Sequence, residues 1–240
     1  MTSTPTAGAP PEVRWTWLGR RPFDLVWAWQ KRLAGALAEG QGPDRLLLCE
    51  HEPVITLGRR ASAKDVLVDD DRLDRLGIVR RVVERGGAAT YHGPGQLVAY
   101  PILDLRRHRK DVRWLSETLG QVAVDCLADF GVAADLRTGS ETGVWTNQGK
   151  IAALGLRVER WVSYHGLALN VCTDLAPFGL IVPCAAPGAS TDSLARHLQP
   201  VPSMSAVRDA FLRAFACRFG ITLRRSARPA FLRPAAASRR

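Results

Sequence analysis

Apolar residues recur every three or four positions in three segments of the chain, and each segment predicts an amphipathic helix. The first spans about residues 22–39, because Pro22 suits a first helical turn and Gly40 suits a stop. The second spans roughly 111–130. The last begins near Met204 and ends at Gly220.

Short apolar runs bounded by turn residues predict strands between these helices. Four runs lie between the first two helices, at 46–49, 54–57, 78–83 and 96–100. Two longer runs, 150–159 and 162–171, are separated by a short break and predict a hairpin. Adjacent strands mixed with helices favour an α+β fold, with a mixed, largely antiparallel sheet packed against helices, over a regular βαβ array.

The length and composition are those of a globular protein with a core of its own. The chain has 240 residues, of which 46% are hydrophobic and 23% charged. No apolar run approaches the ~18 residues that a membrane span needs. Residues 1–14 also lack the basic start and apolar stretch of a secretory signal. We expect a disordered tail at 1–13, one catalytic domain at 14–220 and a basic C-terminal extension at 221–240.

The cysteines and the charge bear on location and partners. The five cysteines form no CxxC pair, which argues against a disulfide framework or a zinc ribbon and for a reducing cytoplasm. The net charge of +10 suits nucleic acid, an anionic membrane or an acidic protein partner, or it reflects a merely solvated surface. No RNP-like, helix-turn-helix or zinc-finger pattern supports a nucleic-acid-binding module.

A glycine-rich loop lies between two predicted strands. Residues 85–96 contain four glycines and two alanines, a composition that lets a backbone approach a ligand closely. The spacing is neither GxGxxG nor GxxxxGK[ST], so it supports neither a Rossmann nor a P-loop phosphate site. Arg85 is a candidate for gripping an anion and His92 for acid–base chemistry. The alternative is an irregular hairpin loop.

The predicted hairpin carries a lysine at its start. Strand alternation places Lys150 on one face with Ala152 and Leu154, where its amine is partly desolvated, unless it is a strand-end lysine that reaches out to water. On the second strand, alternation places His165 with Leu167. A cluster of small residues on both strands indicates a groove or close backbone packing; it comprises Ala152, Ala153, Gly155, Gly166 and Ala168.

One cysteine differs from the other four. Cys184 precedes a run without bulky residues, where a reactive thiol could lie, and a neighbouring cation would lower its pKa. If Lys150 and Cys184 lie side by side, the lysine is the cation that lowers the pKa of the thiol, and the thiolate is the partner of the partly desolvated lysine. The remaining cysteines are interpreted as small core hydrophobes; they are Cys49, Cys126, Cys172 and Cys217.

Several motifs in one order resemble those of the lipoyl(octanoyl) transferases, the LipB family. The resemblance covers about residues 14–220. The motifs are EHEP (50–53), TLG (56–58), RGGAATYHGPGQLV (85–98), GVW (143–145), GKIAALG (149–155), HGLALN (165–170) and IVPC (181–184). In this chain Ala185 follows the cysteine, where the family usually has glycine.

The resemblance implies a fold shared with the catalytic domains of biotin and lipoate protein ligases. It implies transfer of an octanoyl group from octanoyl acyl carrier protein to a lysine of lipoyl domains, in 2-oxoacid dehydrogenase E2 subunits and the glycine cleavage H protein. Cys184 resembles the acyl-thioester nucleophile and Lys150 the group that lowers its pKa. The residues that resemble the substrate-binding segments are Arg85, Gly86, Gly87, Ala88, Ala89, Thr90, Tyr91, His92, Ala153, Leu154, Gly155, Gly166, Leu167 and Ala168.

A thioester donor is already activated, so no ATP is needed. We expect neither a cofactor nor a metal. We also expect no specific nucleic-acid partner and no membrane association. Two other enzymes are alternatives. An ATP-dependent lipoate or biotin ligase of the same fold typically continues its glycine loop with His-Asp, whereas Gly93 follows His92 here. A cysteine hydrolase would use His92 or His165 as base and would release free fatty acid without an acceptor.

Overall fold

The fold consists of two sheets and four α-helices in a computed structural model that describes residues 10–182 and 190–227. The strands are β1 (Glu12–Arg21), β2 (Asp44–His51), β3 (Val54–Leu57), β4 (Val79–Val82), β5 (Ala89–His92), β6 (Gln96–Ile102), β7 (Asp135–Arg137), β8 (Gly143–Trp145), β9 (Lys150–Glu159), β10 (Val162–Asn170) and β11 (Thr222–Arg225). The helices are α1 (Phe23–Ala38), α2 (Asp70–Arg75), α3 (Val112–Ala128) and α4 (Met204–Phe219).

The main sheet has eight strands in the order β11-β1-β2-β6-β10-β9-β8-β7. β1 runs parallel to both of its neighbours, whereas all other neighbours in this sheet are antiparallel. A second sheet of three strands, β4-β3-β5, lies beside it. The predicted α+β class with a mixed, largely antiparallel sheet is therefore confirmed.

The helix ends follow local signals in the sequence. α1 starts directly after Pro22. The Ser203 hydroxyl accepts a hydrogen bond from the Ala206 N–H at the start of α4. Gly220 ends α4 with φ of +61°, a left-handed conformation that costs glycine little. These features explain why the predicted helices agree with the observed ones to within about two residues at each end.

Two apolar layers enclose the main sheet. Leu97 and Leu167 belong to the cluster that includes the buried residues of α3 and α4. Val98 and Ala168 belong to the cluster on the other face, which includes the buried residues of α1. Each fully buried leucine or valine contributes roughly 1.5–3 kcal/mol through burial. Packing on both faces therefore stabilises the central strands β6 and β10.

Some elements were not expected from the sequence. β1 and β11 pair with each other, so the main sheet extends past both ends of the predicted 14–220 domain. The hairpin between β9 and β10 turns through Arg160 and Trp161, both with positive φ, as a two-residue type I′ turn requires. Cys172 and Cys217 are exposed, so their interpretation as core residues was wrong; Cys49 and Cys126 are buried as expected.

Within residues 10–182 and 190–227, none of the helices combines the length and apolar character needed to cross a bilayer.

Candidate active site

A pocket lies where the glycine-rich loop meets the β9–β10 hairpin. Most of the predicted binding residues line it: Arg85, Gly87, Thr90, His92, Ala153, Leu154, Gly155, Gly166, Leu167 and Ala168. Four further lining residues were not among the predicted binding residues; they are Phe23, Val98, Tyr100 and His165. The structure thus brings together loop and hairpin segments that lie more than sixty residues apart in the chain.

The other predicted binding residues lie around this pocket rather than in its lining. Ala88 and Ala89 are buried, and Ala89 pairs with β3. The Tyr91 ring packs against Phe178 with 5.5 Å between the ring centroids. The N–H of Gly86 donates a hydrogen bond of 2.9 Å to the carbonyl of Leu156 in β9, which ties the loop to the hairpin.

The small residues of the hairpin serve two purposes. Gly155 and Gly166 face each other across β9 and β10. A Cβ at Gly155 would lie only 2.8 Å from the carbonyl oxygen of Gly86, so the missing side chain allows the loop to approach. All four of Ala153, Gly155, Gly166 and Ala168 line the pocket. Both interpretations of the cluster, a groove and close backbone packing, therefore apply, and Gly155 serves both.

Arg85 holds the loop in place from inside the pocket wall. Its Nη2 donates to the carbonyl oxygen of Thr56 at 2.7 Å and to the Thr56 hydroxyl at 2.8 Å. Its Nη1 donates to the carbonyl of Gly86 at 3.0 Å. The side chain is buried, so a full positive charge lies in the wall of the pocket. Anion binding by Arg85 stays a prediction.

A hydrogen-bond chain assigns the tautomer of His92. Gln96 Nε2 donates to the Tyr91 carbonyl and to Asn170 Oδ1, so Gln96 Oε1 is the acceptor for His92 Nδ1 at 2.8 Å. His92 therefore carries its proton on Nδ1 and keeps a free lone pair on Nε2. Burial and the neighbouring His51 lower the pKa of His92 to about 3, so the ring is neutral at pH 7.

His165 departs from the strand alternation that the sequence predicted. Its φ is +57°, and its N–H donates to Gln30 Oε1 of α1 at 2.8 Å. The ring lines the pocket, and its Nε2 is buried with no hydrogen-bond partner among the described residues. Burial and the charge of Arg85 lower its pKa to about 3. The expectation that His165 simply shares a face with Leu167 was wrong, because the left-handed backbone interrupts the alternation.

Lys150 is held as a buried cation at the start of β9. Its side chain is buried, and Nζ donates to the carbonyl of Thr142 at 3.3 Å. Nζ also lies 4.8 Å from the ring centroid of Trp145, within cation–π distance. A Cβ at Gly143 would lie 2.9 Å from Lys150 Cε, so the glycine leaves room for the chain. The alternative of a strand-end lysine that reaches water does not hold.

Ser190 and Asp192, in the segment after residue 189, are hydrogen-bonded to the backbone of Lys150. The Lys150 N–H donates to the Ser190 carbonyl at 2.8 Å, and the Asp192 N–H donates to the Lys150 carbonyl at 2.9 Å. The Asn170 side-chain amide donates to the Asp192 carbonyl at 2.9 Å. Because Asn170 also accepts from Gln96, the same network reaches from His92 in the pocket to the segment 190–192.

A fully buried carboxylate fixes that segment further. Asp192 Oδ2 accepts from His197 Nε2 at 2.5 Å and from the Thr146 hydroxyl, and Oδ1 accepts from the Ser193 N–H at 2.8 Å. Thr146 belongs to the turn that leads into β9. We call the contacts of the Asp192 carboxylate with Thr146, His197 and Ser193 the Asp192 clamp. They join the segment after residue 189 to the strand of Lys150.

The predicted nucleophile Cys184 lies in 183–189, outside the described residues, so its pairing with Lys150 stays a prediction. The residues on both sides of that segment are anchored. The N–H of Val182 donates to the carbonyl of Asp65 at 2.8 Å, and Ser190 accepts from Lys150. In the described part of the chain, no group of three or more histidine, cysteine or carboxylate side chains forms a possible metal site.

The fold and the pocket define the class of a lipoyl protein ligase A/B catalytic domain, whose family model matches residues 23–216. An octanoyltransferase of Gloeobacter violaceus is 48% identical over 204 residues, which cover 85% of this chain and 88% of that protein. An octanoyltransferase of Solibacter usitatus is 45% identical, covering 83% of this chain and 89% of that protein. The chain therefore belongs to the lipoyl protein ligase A/B family, in its octanoyltransferase (LipB) branch.

The fold is also similar to that of a bipartite lipoate protein ligase from Thermoplasma acidophilum. The TM-score is 0.71, over 92% of this chain and 89% of that chain, at 21% identity, which shows the shared fold alone. The predictions of a ligase-like catalytic fold and of an acyl-transferring enzyme are confirmed.

Proposed function

We propose that this chain transfers an octanoyl group from octanoyl acyl carrier protein, through a thioester on Cys184, to a lysine of lipoyl domains, as the first step of endogenous lipoate synthesis. The acceptors are lipoyl domains of 2-oxoacid dehydrogenase E2 subunits and the glycine cleavage H protein, in the cytoplasm. The observation that carries the proposal is the position of Lys150. Its side chain is buried, and its backbone is hydrogen-bonded to the chain that follows the cysteine segment.

The first half of the reaction exchanges one thioester for another. The Cys184 thiolate attacks the donor carbonyl, the bond between that carbonyl and the carrier sulfur breaks, and the carrier thiolate leaves and takes up a proton. A nearby ammonium favours the thiolate, which is the nucleophilic form. Lys150 supplies that charge in this proposal. The exchange costs little free energy because the bond formed and the bond broken are of the same kind.

The second half forms an amide. The amine of the acceptor lysine attacks the acyl-enzyme, the bond to the Cys184 sulfur breaks, and the amine loses its proton while the cysteine thiolate is restored. Lys150 gives its proton to the carrier thiolate in the first half, so its neutral amine accepts the proton that the acceptor amine loses in the second half, and the ion pair with the Cys184 thiolate is restored. Amide formation from a thioester is downhill, so the cycle needs no ATP.

The pocket accounts for binding of the acyl chain. Burying about six methylenes at ~0.8 kcal/mol each gives ~5 kcal/mol, enough to position the reacting carbonyl. The wall is apolar at Val98, Ala153 and Ala168. In this proposal the neutral His165 ring carries its proton on Nε2, which is unpaired among the described residues, and this N–H donates to the acyl carbonyl oxygen, which removes the cost of a buried unsatisfied donor.

The experiment is mass spectrometry of the protein after incubation with octanoyl acyl carrier protein alone. We expect the wild type to gain one octanoyl group, and Cys184→Ala to gain none. Cys172→Ala and Cys217→Ala are matched controls, since both thiols are exposed, and both variants keep the label. Labelling that survives in Cys184→Ala would refute the nucleophile. A requirement for ATP would favour the ligase instead.

A further inference from the structure

A turn beside the glycine-rich loop carries two exposed arginines. The N–H groups of Arg59 and Arg60 donate to the carbonyls of Arg85 and Gly87, both at 3.0 Å. The backbone of the turn is therefore fixed to the loop, while both arginine side chains point into solvent. The two arginines are therefore attached next to the glycine-rich loop that lines the acyl pocket.

Neither guanidinium is neutralised. Within residues 10–182 and 190–227, Arg59 and Arg60 form no ion pair, whereas the nearby Arg80 and Arg81 bind Asp70 and Asp24. None of the described residues that line the groove beside the two arginines is acidic. Two adjacent positive charges without a partner mark a place for an anion.

The groove continues to the reaction site. Its apolar wall is formed by Val112, Leu154 and Leu156, and it shares Gly87 and Leu154 with the acyl pocket. We call it the arginine groove.

Thr142, whose carbonyl accepts a hydrogen bond from Lys150 Nζ, also lines the arginine groove. The arginine groove therefore combines two arginines without an ion pair and an apolar wall, and it borders both the acyl pocket and the carbonyl that binds Lys150. Its chemistry fits an uncharged chain that carries an anion beside the two arginines.

We propose that the arginine groove holds the arm of the donor, a thioester-bearing chain that is linked to its carrier through a phosphodiester, with the phosphate on Arg59 and Arg60. The inference rests on the proposed function, which supplies a carrier-bound acyl thioester. Arginine suits this role because its planar donors match phosphate oxygens. An acceptor lysine fits less well, because two guanidinium groups repel its ammonium.

The test is a double variant, Arg59→Ala/Arg60→Ala, followed by single-turnover acylation with three donors. The donors are octanoyl acyl carrier protein, octanoyl-4′-phosphopantetheine, and the octanoyl thioester of N-acetylcysteamine, which lacks any phosphate. We expect kcat/KM to fall about 10- to 100-fold for the first two donors, the size expected for lost hydrogen bonds to a charged group. The third donor reacts equally well with variant and wild type.

A matched control removes two other exposed arginines. Arg213→Ala/Arg224→Ala loses the same charge at α4 and at the β11 edge of the sheet, where each arginine forms only a surface ion pair. Its acylation rates stay within about twofold of wild type for all three donors, because surface ion pairs contribute little.

Three outcomes would overturn the inference. An equal loss with the N-acetylcysteamine thioester would show that the arginines support the pocket instead. A loss with the carrier protein but not with octanoyl-4′-phosphopantetheine would assign them to the protein surface of the carrier. A loss confined to transfer onto lipoyl domains would assign them to the acceptor. If the wild type is acylated by none of these donors, the proposed function fails rather than the groove.

Discussion

The backbone N–H of Lys150 donates a 2.8 Å hydrogen bond to the carbonyl of Ser190, which joins the start of β9 to the chain after the cysteine segment. The Asp192 clamp adds side-chain hydrogen bonds to this backbone contact, from Thr146 and His197 to the Asp192 carboxylate. A buried carboxylate with several donors holds its neighbours in one geometry. The clamp therefore fixes residues 190–193 against the turn before β9, and we expect this to position Lys150 relative to the cysteine segment.

Asp192→Asn should lower kcat for acyl transfer by about tenfold or more while leaving the donor KM nearly unchanged. The physical reason is that small displacements between reacting groups cost large factors in rate. Steady-state kinetics with octanoyl acyl carrier protein measure both constants. The thiol alkylation profile of Cys184 against pH should shift upward as well, because Lys150 would be less well placed to stabilise the thiolate.

Asp44→Asn is the control for this prediction. Asp44 is also buried and binds His108 Nε2 at 2.6 Å, but it lies near Val162, at the opposite end of the hairpin from Lys150. Both variants should lose about 3 kcal/mol of unfolding free energy in urea, the size typical of a broken buried pair. Equal losses of activity in the two would mean that the clamp only stabilises the fold.

Ala153→Val should shorten the preferred acyl chain. The added methyl groups occupy the pocket beside Ala168, so the last methylenes of an octanoyl group lose their place. Each excluded methylene is worth ~0.8 kcal/mol, or about fourfold in the ratio of kcat/KM between octanoyl and shorter donors. Ala153→Ser keeps nearly the original volume and should keep the original ratio. An unchanged ratio in the valine variant would place the chain elsewhere.

The same substitution at the two pocket histidines should have opposite effects on stability. His165→Leu removes a buried unpaired nitrogen, so the unfolding free energy should stay level or rise by ~1 kcal/mol. His92→Leu leaves Gln96 Oε1 unpaired and should cost ~2 kcal/mol. Urea unfolding measures both values.

Acylation should nevertheless fall in His165→Leu, because the acyl carbonyl loses its polar contact. A stable variant with normal acylation kinetics would remove His165 from substrate binding. A destabilised one would mean that Nε2 has a partner in the folded protein.

The elements that the sequence predicted are those with local signals. The helix periodicities and the short break between 159 and 162 need only neighbouring residues to be recognised. β1 and β11 pair across some two hundred residues, and nothing local distinguishes Thr222–Arg225 from a basic tail. The alternation of Arg14 and Thr16 with Trp15 and Trp17 was a usable strand signal for β1.

The candidate site shows the same limit. The glycine loop, Lys150 and the small residues were recognisable from motif and composition. Phe23 and Tyr100 line the pocket only because α1 and β6 pack beside the loop, which no local pattern indicates. The sequence named His165 only as a possible base, and its place in the pocket lining could not be predicted, since period-two alternation assumes extended backbone and its φ is +57°.

The stability of the protein should fall as the pH is lowered below neutrality, because three histidines are buried in the neutral form. Burial lowers the pKa of His51 to about 4, and those of His92 and His165 to about 3, from a usual 6.5. Below pH 6.5 these histidines become protonated in the unfolded chain but stay neutral in the folded chain. The full stability is therefore present above pH 6.5 and is lost progressively as the pH falls from there towards 3. The slope approaches ~1.4 kcal/mol per pH unit for each histidine.

Urea unfolding between about pH 7 and pH 5 measures this slope, and His165→Leu should reduce it by about a third. A stability that stays level over this range would contradict the neutral burial of these rings.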